Sequence, residues 1–337
     1  MTNYKVAFLI EGFHDLSPGL VVGERHLTYV TELSEKARRC MQEEVGGRLE
    51  KLWTPAGIPC IAIDVQAPDE RAAVKKAWPP AQRIADTLAL VEFERVDAIS
   101  LSTERSPRLL HNALVANLDD SPPTTKFSYY APVALGCINL GTAVKAAKHF
   151  NERVVRHLEA LMPGELLYAE PISRPVIRRL AHSLHWYSQG MNQPEIPLHF
   201  LATWVALESL VIEDTTTGGK GRKIVARLGF LVTKHTKEKP QNEALWSLWK
   251  LRSDIVHEGI GGILEPDAHQ ITAEHINQVR YLYFVTLLFL LDRQAGASSL
   301  ADIWGNFRSY QPSVVIKPED VPIFYHVVDF SRDHISA

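Results

Sequence analysis

The chain has 337 residues, 46% of them hydrophobic, which is enough for two domains that each bury a core. Its formal net charge of -3 excludes a uniformly basic surface, so any contact with nucleic acid has to come from a local basic patch. The three cysteines, Cys40, Cys60 and Cys137, show no C-x-x-C spacing, which favours a reducing compartment and predicts neither structural disulfides nor a cysteine-based zinc site.

The N-terminal segment MTNYKVAFLIEGFH lacks the basic start and the long apolar stretch of a signal peptide. The most apolar segment, YLYFVTLLFLL, spans only residues 281–291, which is too short to cross a bilayer. We therefore expect a soluble, cytoplasmic protein without a membrane partner.

Residues 1–133 are predicted to form an α+β domain that ends in a linker. The segment DERAAVKKAWPPAQRIADTLAL is typical of a helix, which we expect to be interrupted at Pro79 and Pro80 because proline lacks the amide hydrogen. Turn residues and prolines at 117–133 predict a surface loop. The predicted strands are YKVAFLIEGF, GIPCIAIDVQA and RVDAISLST.

Residues 134–295 are predicted to form an all-α helical bundle, because apolar residues recur there at helical spacing. Residues 296–337 are predicted to be a C-terminal tail with two short strands in SVVIKPEDVPIFYHVVDF. The predicted helices are TAVKAAKHFNERVVRHLEALM, ISRPVIRRLAHSLHWYSQG, EIPLHFLATWVALESLVIED, GRKIVARLGFLVTKH, NEALWSLWKLRSDIVHEG and AEHINQVRYLYFVTLLFLLDRQ.

The fifth predicted helix carries an arginine and a histidine close to its end, in the segment RSDIVHEG. Arg252 and His257 are five residues apart, about 140° around an ideal helix, whereas Ser253 and His257 share a face. Three arrangements bring an Arg and a His together from these positions. Arg252 reaches round the helix, the helix is distorted, or a partner subunit supplies the second group.

Glu208 interrupts an apolar stripe of the third predicted helix. A carboxylate in that position needs a cationic or hydrogen-bonding partner, because an unpaired buried charge costs several kcal/mol. Arg252 is the predicted partner. A purely structural alternative stays open, in which Glu208 and Arg252 fix the helix register and His257 caps carbonyls at the helix end.

Four features in this order resemble the HEPN superfamily, specifically its Apea-like group. They are FLATWVALESLVIED, a basic amphipathic helix, LWKLRSDIVHEG and a long apolar helix, and they cover residues 171–292. The resemblance implies a dimeric ribonuclease that works without metal or cofactor, with Arg252, Ser253 and His257 in the motif positions. The residue after the arginine is often Asn, Asp or His in that family, and here it is Ser253.

RNA cleavage through the 2'-hydroxyl suits these residue types. Histidine titrates near neutrality and can act as a base or an acid, which predicts that role for His257. Arginine stays charged and binds phosphate oxygens with a planar fork, which predicts that Arg252 holds the scissile phosphate and that Glu208 orients it. A two-fold dimer supplies two copies of each group to one groove.

Residues 220–239 contain seven lysines and arginines and one acidic residue. Lys220, Arg222 and Lys223 lie at a predicted helix start, where the helix dipole disfavours cations, so a bound anion relieves the conflict. We predict that these three residues contact RNA phosphates. The alternative is an ordinary solvated helix face.

Two functions therefore remain open from the sequence. The first is a metal-independent endoribonuclease that acts on RNA as a homodimer, and the resemblance implies a conditional toxin or phage-defence effector. The second is a non-catalytic dimerisation or binding module. In this second hypothesis residues 1–133 recognise a ligand or protein partner, and in the first they are a candidate site for a regulatory protein or ligand.

Overall fold

The computed structural model describes residues 1–11, 21–22, 25–29, 59–89, 108–120, 124–129, 163, 166, 171–193, 195–213, 218–236, 242–258, 271–305 and 307–312. The chain divides into two compact units. The first unit consists of Met1–Leu90, Thr103–His149 and Leu167–Glu170, and the second of Val91–Ser102, Phe150–Leu166 and Pro171–Ala337. The predicted strand at 95–103 and the predicted helix at 142–162 lie outside the described residues, so the predicted domain boundaries after residues 133 and 295 stay predictions.

The first unit contains a six-stranded antiparallel sheet and a helix, as expected for an α+β domain. The strand order is β2-β3-β4-β1-β5-β6. The central strand β1 is buried continuously from Val6 to Ile10, which explains why its sequence is apolar without alternation. The strands are β1 Thr2–Glu11, β2 Val21–Val22, β3 Arg25–Tyr29, β4 Pro59–Ala67, β5 Arg108–Asn117 and β6 Thr124–Tyr129.

The helix of this unit, α1, spans Glu70–Leu88 and continues through Pro79 and Pro80. The predicted interruption at these prolines is therefore wrong. The two carbonyls that lose their helical partners belong to Lys75 and Lys76, which are exposed, while the buried residues before and after the prolines anchor both halves of the helix. Tertiary packing outweighs the local cost of the prolines.

The segment predicted as a loop at 117–133 contains strand β6. That prediction is wrong over Thr124–Tyr129, which pairs antiparallel with β5. Threonine, phenylalanine and tyrosine favour strands, and the prolines that suggested a loop all lie outside Thr124–Tyr129 in the sequence.

The second unit is helical in its described part, as predicted for the bundle. Helices α3 and α6 are its centre, because α3 packs against α2 and α6, and α6 is buried almost without interruption from Ile276 to Leu291. A helix that is apolar on all sides is typical of a core position. The helices are α2 Pro175–Met191, α3 Ile196–Val211, α4 Lys220–Thr236, α5 Asn242–Glu258, α6 Ala273–Arg293 and α7 Leu300–Gly305.

The predicted C-terminal strands begin at Ser313 and lie outside the described residues. The described start of the predicted tail forms α7 and a 3-10 turn at Phe307–Ser309, which the sequence reading missed. Trp304 of α7 is buried, and its Nε1 donates a hydrogen bond to the Leu210 carbonyl at 2.9 Å. This contact ties α7 to the end of α3.

Candidate functional site

Helix α5 carries three of the four residues predicted to be catalytic. It runs as one α-helix from Asn242 to Glu258 and packs against α3 and α4. His257 lies in its last turn with an exposed side chain, and Ser253, one turn earlier on the same face, is half-buried. The helix therefore presents His257 where a ligand or a second subunit can reach it.

Arg252 and Glu208 form an ion pair between α5 and α3, as predicted. Arg252 Nη2 lies 2.8 Å from Glu208 Oε2, and the two side chains are 24% and 21% exposed. This partial exposure places the pair at the rim of the bundle core rather than inside it. Charge-assisted contacts of this length fix the orientation of both groups.

The arginine retains hydrogen-bonding capacity beyond this pair. A guanidinium has five N–H donors, and Glu208 engages Nη2. Arg252 Nε is buried and has no hydrogen-bond partner among the residues that the structure describes. Glu208 therefore holds the guanidinium in place without saturating its donors.

Arg252 and His257 take different directions within one chain. The uninterrupted helix separates them by about 140°, so Arg252 contacts α3 while His257 is exposed to solvent. Three arrangements could bring an Arg and a His together, and distortion of the helix is excluded because α5 is regular over Asn242–Glu258. A site that uses both residue types on one phosphate is most simply completed by a second subunit.

The three basic residues predicted to bind RNA are not equivalent. Lys220 and Arg222 are exposed at the start of α4, whereas Lys223 Nζ lies 2.5 Å from Glu213 Oε2. Lys223 is thus engaged in an ion pair, a contact that the sequence did not indicate. Only Lys220 and Arg222 present their charges to solvent without this constraint.

Glu213 also binds Arg227, with Nη2 2.6 Å from Oε1. Burial on its own raises the pKa of the Glu213 carboxyl, but hydrogen bonds from Arg227 and Lys223 outweigh it and lower the pKa to about 2. The Arg227 guanidinium also stacks over the Trp304 ring, 4.5 Å from its centroid. This cluster joins the segment that follows α3 to α4 and α7, and it is structural in character.

The second unit buries a histidine that sequence reasoning did not single out. His199 of α3 is 2% exposed, and neither of its ring nitrogens has a hydrogen-bond partner among the described residues. Burial, with a smaller contribution from the charge of Arg280, lowers the pKa of His199 to about 3. It is therefore neutral near pH 7 and acts as a core side chain.

The chain matches no protein-family model, no curated protein and no solved structure. The HEPN-like assignment therefore remains a prediction from the sequence motifs. Any proposed function has to be argued from the geometry of α3 and α5.

Among the helices that the structure describes, none combines the length and the apolar character that crossing a bilayer requires.

Proposed function

We propose that the protein is a metal-independent endoribonuclease of the HEPN type that acts as a homodimer. The observation that supports this proposal best is the Glu208–Arg252 ion pair at 2.8 Å on the helix that exposes His257. A held arginine and an accessible histidine are the two groups that cleavage through the 2'-hydroxyl needs.

The proposed roles follow from the chemistry of the reaction. One His257 takes the proton from the 2'-hydroxyl, which attacks phosphorus, and a second His257 gives a proton to the departing 5'-oxygen. Arg252 binds the non-bridging oxygens through the Nη group that Glu208 leaves free, and stabilises the charge that develops there. Ser253 lies on the same face of α5 as His257, and its proposed role is to donate a hydrogen bond to the substrate.

The same geometry supports the proposed dimer. One histidine cannot be both base and acid in a single concerted step, and Arg252 and His257 are on different sides of α5. A two-fold axis near the end of α5 places two copies of each residue around one groove.

The direct test is cleavage of RNA by the full chain with His257→Ala, compared with His182→Ala. His182 is another exposed histidine on a helix, α2, so it controls for the loss of an imidazole at the surface. We expect His257→Ala to abolish cleavage with a nearly unchanged melting temperature, and His182→Ala to cleave normally. Normal cleavage by His257→Ala would rule the proposal out.

A second candidate function is a non-catalytic binding module. The observation that favours it is the engagement of Arg252 by Glu208, which equally suits an ion pair that fixes helix register. In that case purified protein leaves RNA intact while still self-associating.

The biological setting rests on the resemblance alone. It suggests a cytoplasmic toxin or phage-defence effector whose N-terminal unit receives a regulatory protein or ligand. Expression in a bacterial host tests this suggestion, because wild type should arrest growth and His257→Ala should not.

A further inference from the structure

Four residues of α5 form one stripe along the helix, here called the α5 stripe: Trp246, Lys250, Ser253 and His257. Their spacing of four, three and four residues keeps them within about 60° of the helix circumference. The stripe is about 16 Å long. Trp246, Lys250 and His257 are exposed and Ser253 is half-buried, so the stripe presents a continuous surface that leads to the proposed catalytic histidine.

Trp246 is exposed but held in a fixed orientation. Its side chain is 37% exposed, although its ring packs edge-to-face on Trp249 with centroids 5.4 Å apart. The backbone of α4 packs closely against both rings at Gly221. A Cβ added to this glycine would lie only 2.9 Å from Trp246 Cζ3 and 2.9 Å from Trp249 Cε2. A rigid, accessible indole is the kind of side chain on which an unpaired base stacks.

Three cationic residues are close in sequence to Trp246 or to Gly221, the residue that packs against it. Lys220 and Arg222 flank Gly221, which touches Trp246, and Lys250 follows Trp246 by one helical turn. Within the part of the chain that the structure describes, no carboxylate pairs with Lys220, Arg222 or Lys250. On α5 itself the acidic residue nearest Trp246 is exposed Glu243, whereas Asp254 and Glu258 lie towards the His257 end of the helix. The surroundings of Trp246 therefore carry a local excess of positive charge.

We propose that the α5 stripe binds single-stranded RNA, with one base stacked on Trp246, phosphates near Lys250 and Arg222, and the strand leading to His257. This inference rests on the proposed nuclease function and adds the substrate class, an unpaired strand, and a residue that binds a base. A duplex cannot offer a free base face to Trp246. In a stacked strand at roughly 3.4 Å per nucleotide the stripe corresponds to about five nucleotides, and to fewer in an extended strand.

Charge favours RNA over a second copy of the chain as the occupant of this surface. A symmetric interface centred on Trp246 sets Lys220, Arg222 and Lys250 of one subunit against the same three cations of its partner. A polyanionic strand is instead attracted by all three. The self-association surface is accordingly expected nearer the His257 end of α5.

The test measures binding separately from cleavage. The probe is a short, fluorescently labelled, single-stranded RNA with 2'-O-methyl riboses, which has no free nucleophile and cannot be cleaved. Full-length wild type is compared with Trp246→Ala, Trp246→Phe and the control Trp186→Ala, because Trp186 on α2 is 36% exposed. We expect Trp246→Ala to weaken binding at least about fivefold, Trp246→Phe to retain most of the affinity, and Trp186→Ala to bind as wild type does.

Lys250 gives a second variant that does not disturb packing, since its side chain is exposed. The plot of log affinity against log salt has a negative slope, and Lys250→Gln should make it shallower by about 0.7. Lys75 is an exposed lysine of α1, and Lys75→Gln should leave the slope unchanged. Equal affinities of Trp246→Ala and Trp186→Ala, or equal affinity of wild type for single strand and duplex, would overturn the proposal.

Failure of this proposal and failure of the nuclease proposal give different results. If unmodified RNA is cleaved but Trp246→Ala binds normally, RNA does not bind along the α5 stripe and the nuclease assignment stands. If binding depends on Trp246 but unmodified RNA stays intact, RNA does bind along the α5 stripe and the protein is an RNA-binding module.

Discussion

Arg252 of α5 is bound to Glu208 of α3 through Nη2 and Oε2, 2.8 Å apart, with roughly three quarters of each side chain covered. We predict that these residues are energetically coupled. In a double-mutant cycle of Glu208→Gln and Arg252→Met, followed by urea denaturation, the double variant should be more stable than additivity requires by about 1 kcal/mol. Additivity within about 0.3 kcal/mol would show that the contact contributes nothing to stability.

The same pair makes a prediction about activity. Because Glu208 is proposed to orient Arg252 without touching RNA, Glu208→Gln should lower kcat for RNA cleavage and leave KM nearly unchanged. Arg252→Lys should lose more, since a lysine cannot reproduce the planar fork on a phosphate. A Glu208→Gln variant that loses stability but keeps its kcat would assign the pair a structural role alone.

The buried imidazole of His199 predicts a loss of stability in acid. Its folded pKa of about 3 lies below the unfolded value of about 6.5, so the unfolded state binds the proton first. The contribution of neutral His199 to the free energy of unfolding is fully present above about pH 6.5 and is lost as the pH falls towards 3. At pH 5 the loss amounts to about 2 kcal/mol.

Denaturation of wild type and His199→Leu at pH 7 and pH 5 isolates this effect from other titrating groups. The decrease in unfolding free energy between the two pH values should be about 2 kcal/mol smaller in the variant. His182→Leu, at an exposed position, should behave as wild type does. The same pH dependence in His199→Leu as in wild type would contradict a neutral, buried His199.

The division among the basic residues of α4 predicts two different phenotypes. Lys220→Gln and Arg222→Gln should weaken RNA binding and reduce its salt dependence while leaving stability unchanged, because both side chains are exposed. Lys223→Gln should instead destabilise the fold, because it leaves Glu213 with one cation fewer. Melting temperatures and binding titrations of the three variants, measured side by side, separate these outcomes. If all three variants weakened RNA binding equally, Lys223 would belong with Lys220 and Arg222 as an RNA-binding residue.

Removal of divalent ions tests the chemistry proposed for His257 and Arg252. Cleavage that uses two imidazoles and a guanidinium should proceed at an unchanged rate in excess EDTA. Loss of activity in EDTA, restored by a divalent cation, would instead indicate a metal-dependent nuclease.

The helices of the second unit were predictable because periodic apolar residues and helix-end signals agree there, and the bounds of α2, α3, α5 and α6 lie close to the predicted segments. The ion pair was predictable for a different reason. Glu208 interrupts an apolar stripe, and a charge in such a position requires a partner that the sequence offers in Arg252.

The errors arise where distant contacts override local preference. The prolines of α1 are tolerated because apolar packing holds both sides of the helix, and β6 forms because β5 lies beside it. The Lys223–Glu213 ion pair and the packing of Trp246 against Gly221 could not be predicted, because only the fold brings these residues together. The sequence itself offered only a spacing, since Trp246 precedes the proposed catalytic His257 by eleven residues, about three helical turns.

The measurement that tests the central claim most directly is RNA cleavage by mixed dimers of wild type and His257→Ala. Subunits are co-denatured and refolded, or co-expressed, in varied proportions so that dimers form at random. If one cleft needs both copies of His257, cleavage follows the square of the wild-type fraction and falls to about a quarter at equal proportions. Cleavage that falls in direct proportion, to about half, would show that each subunit acts alone and would contradict the composite site.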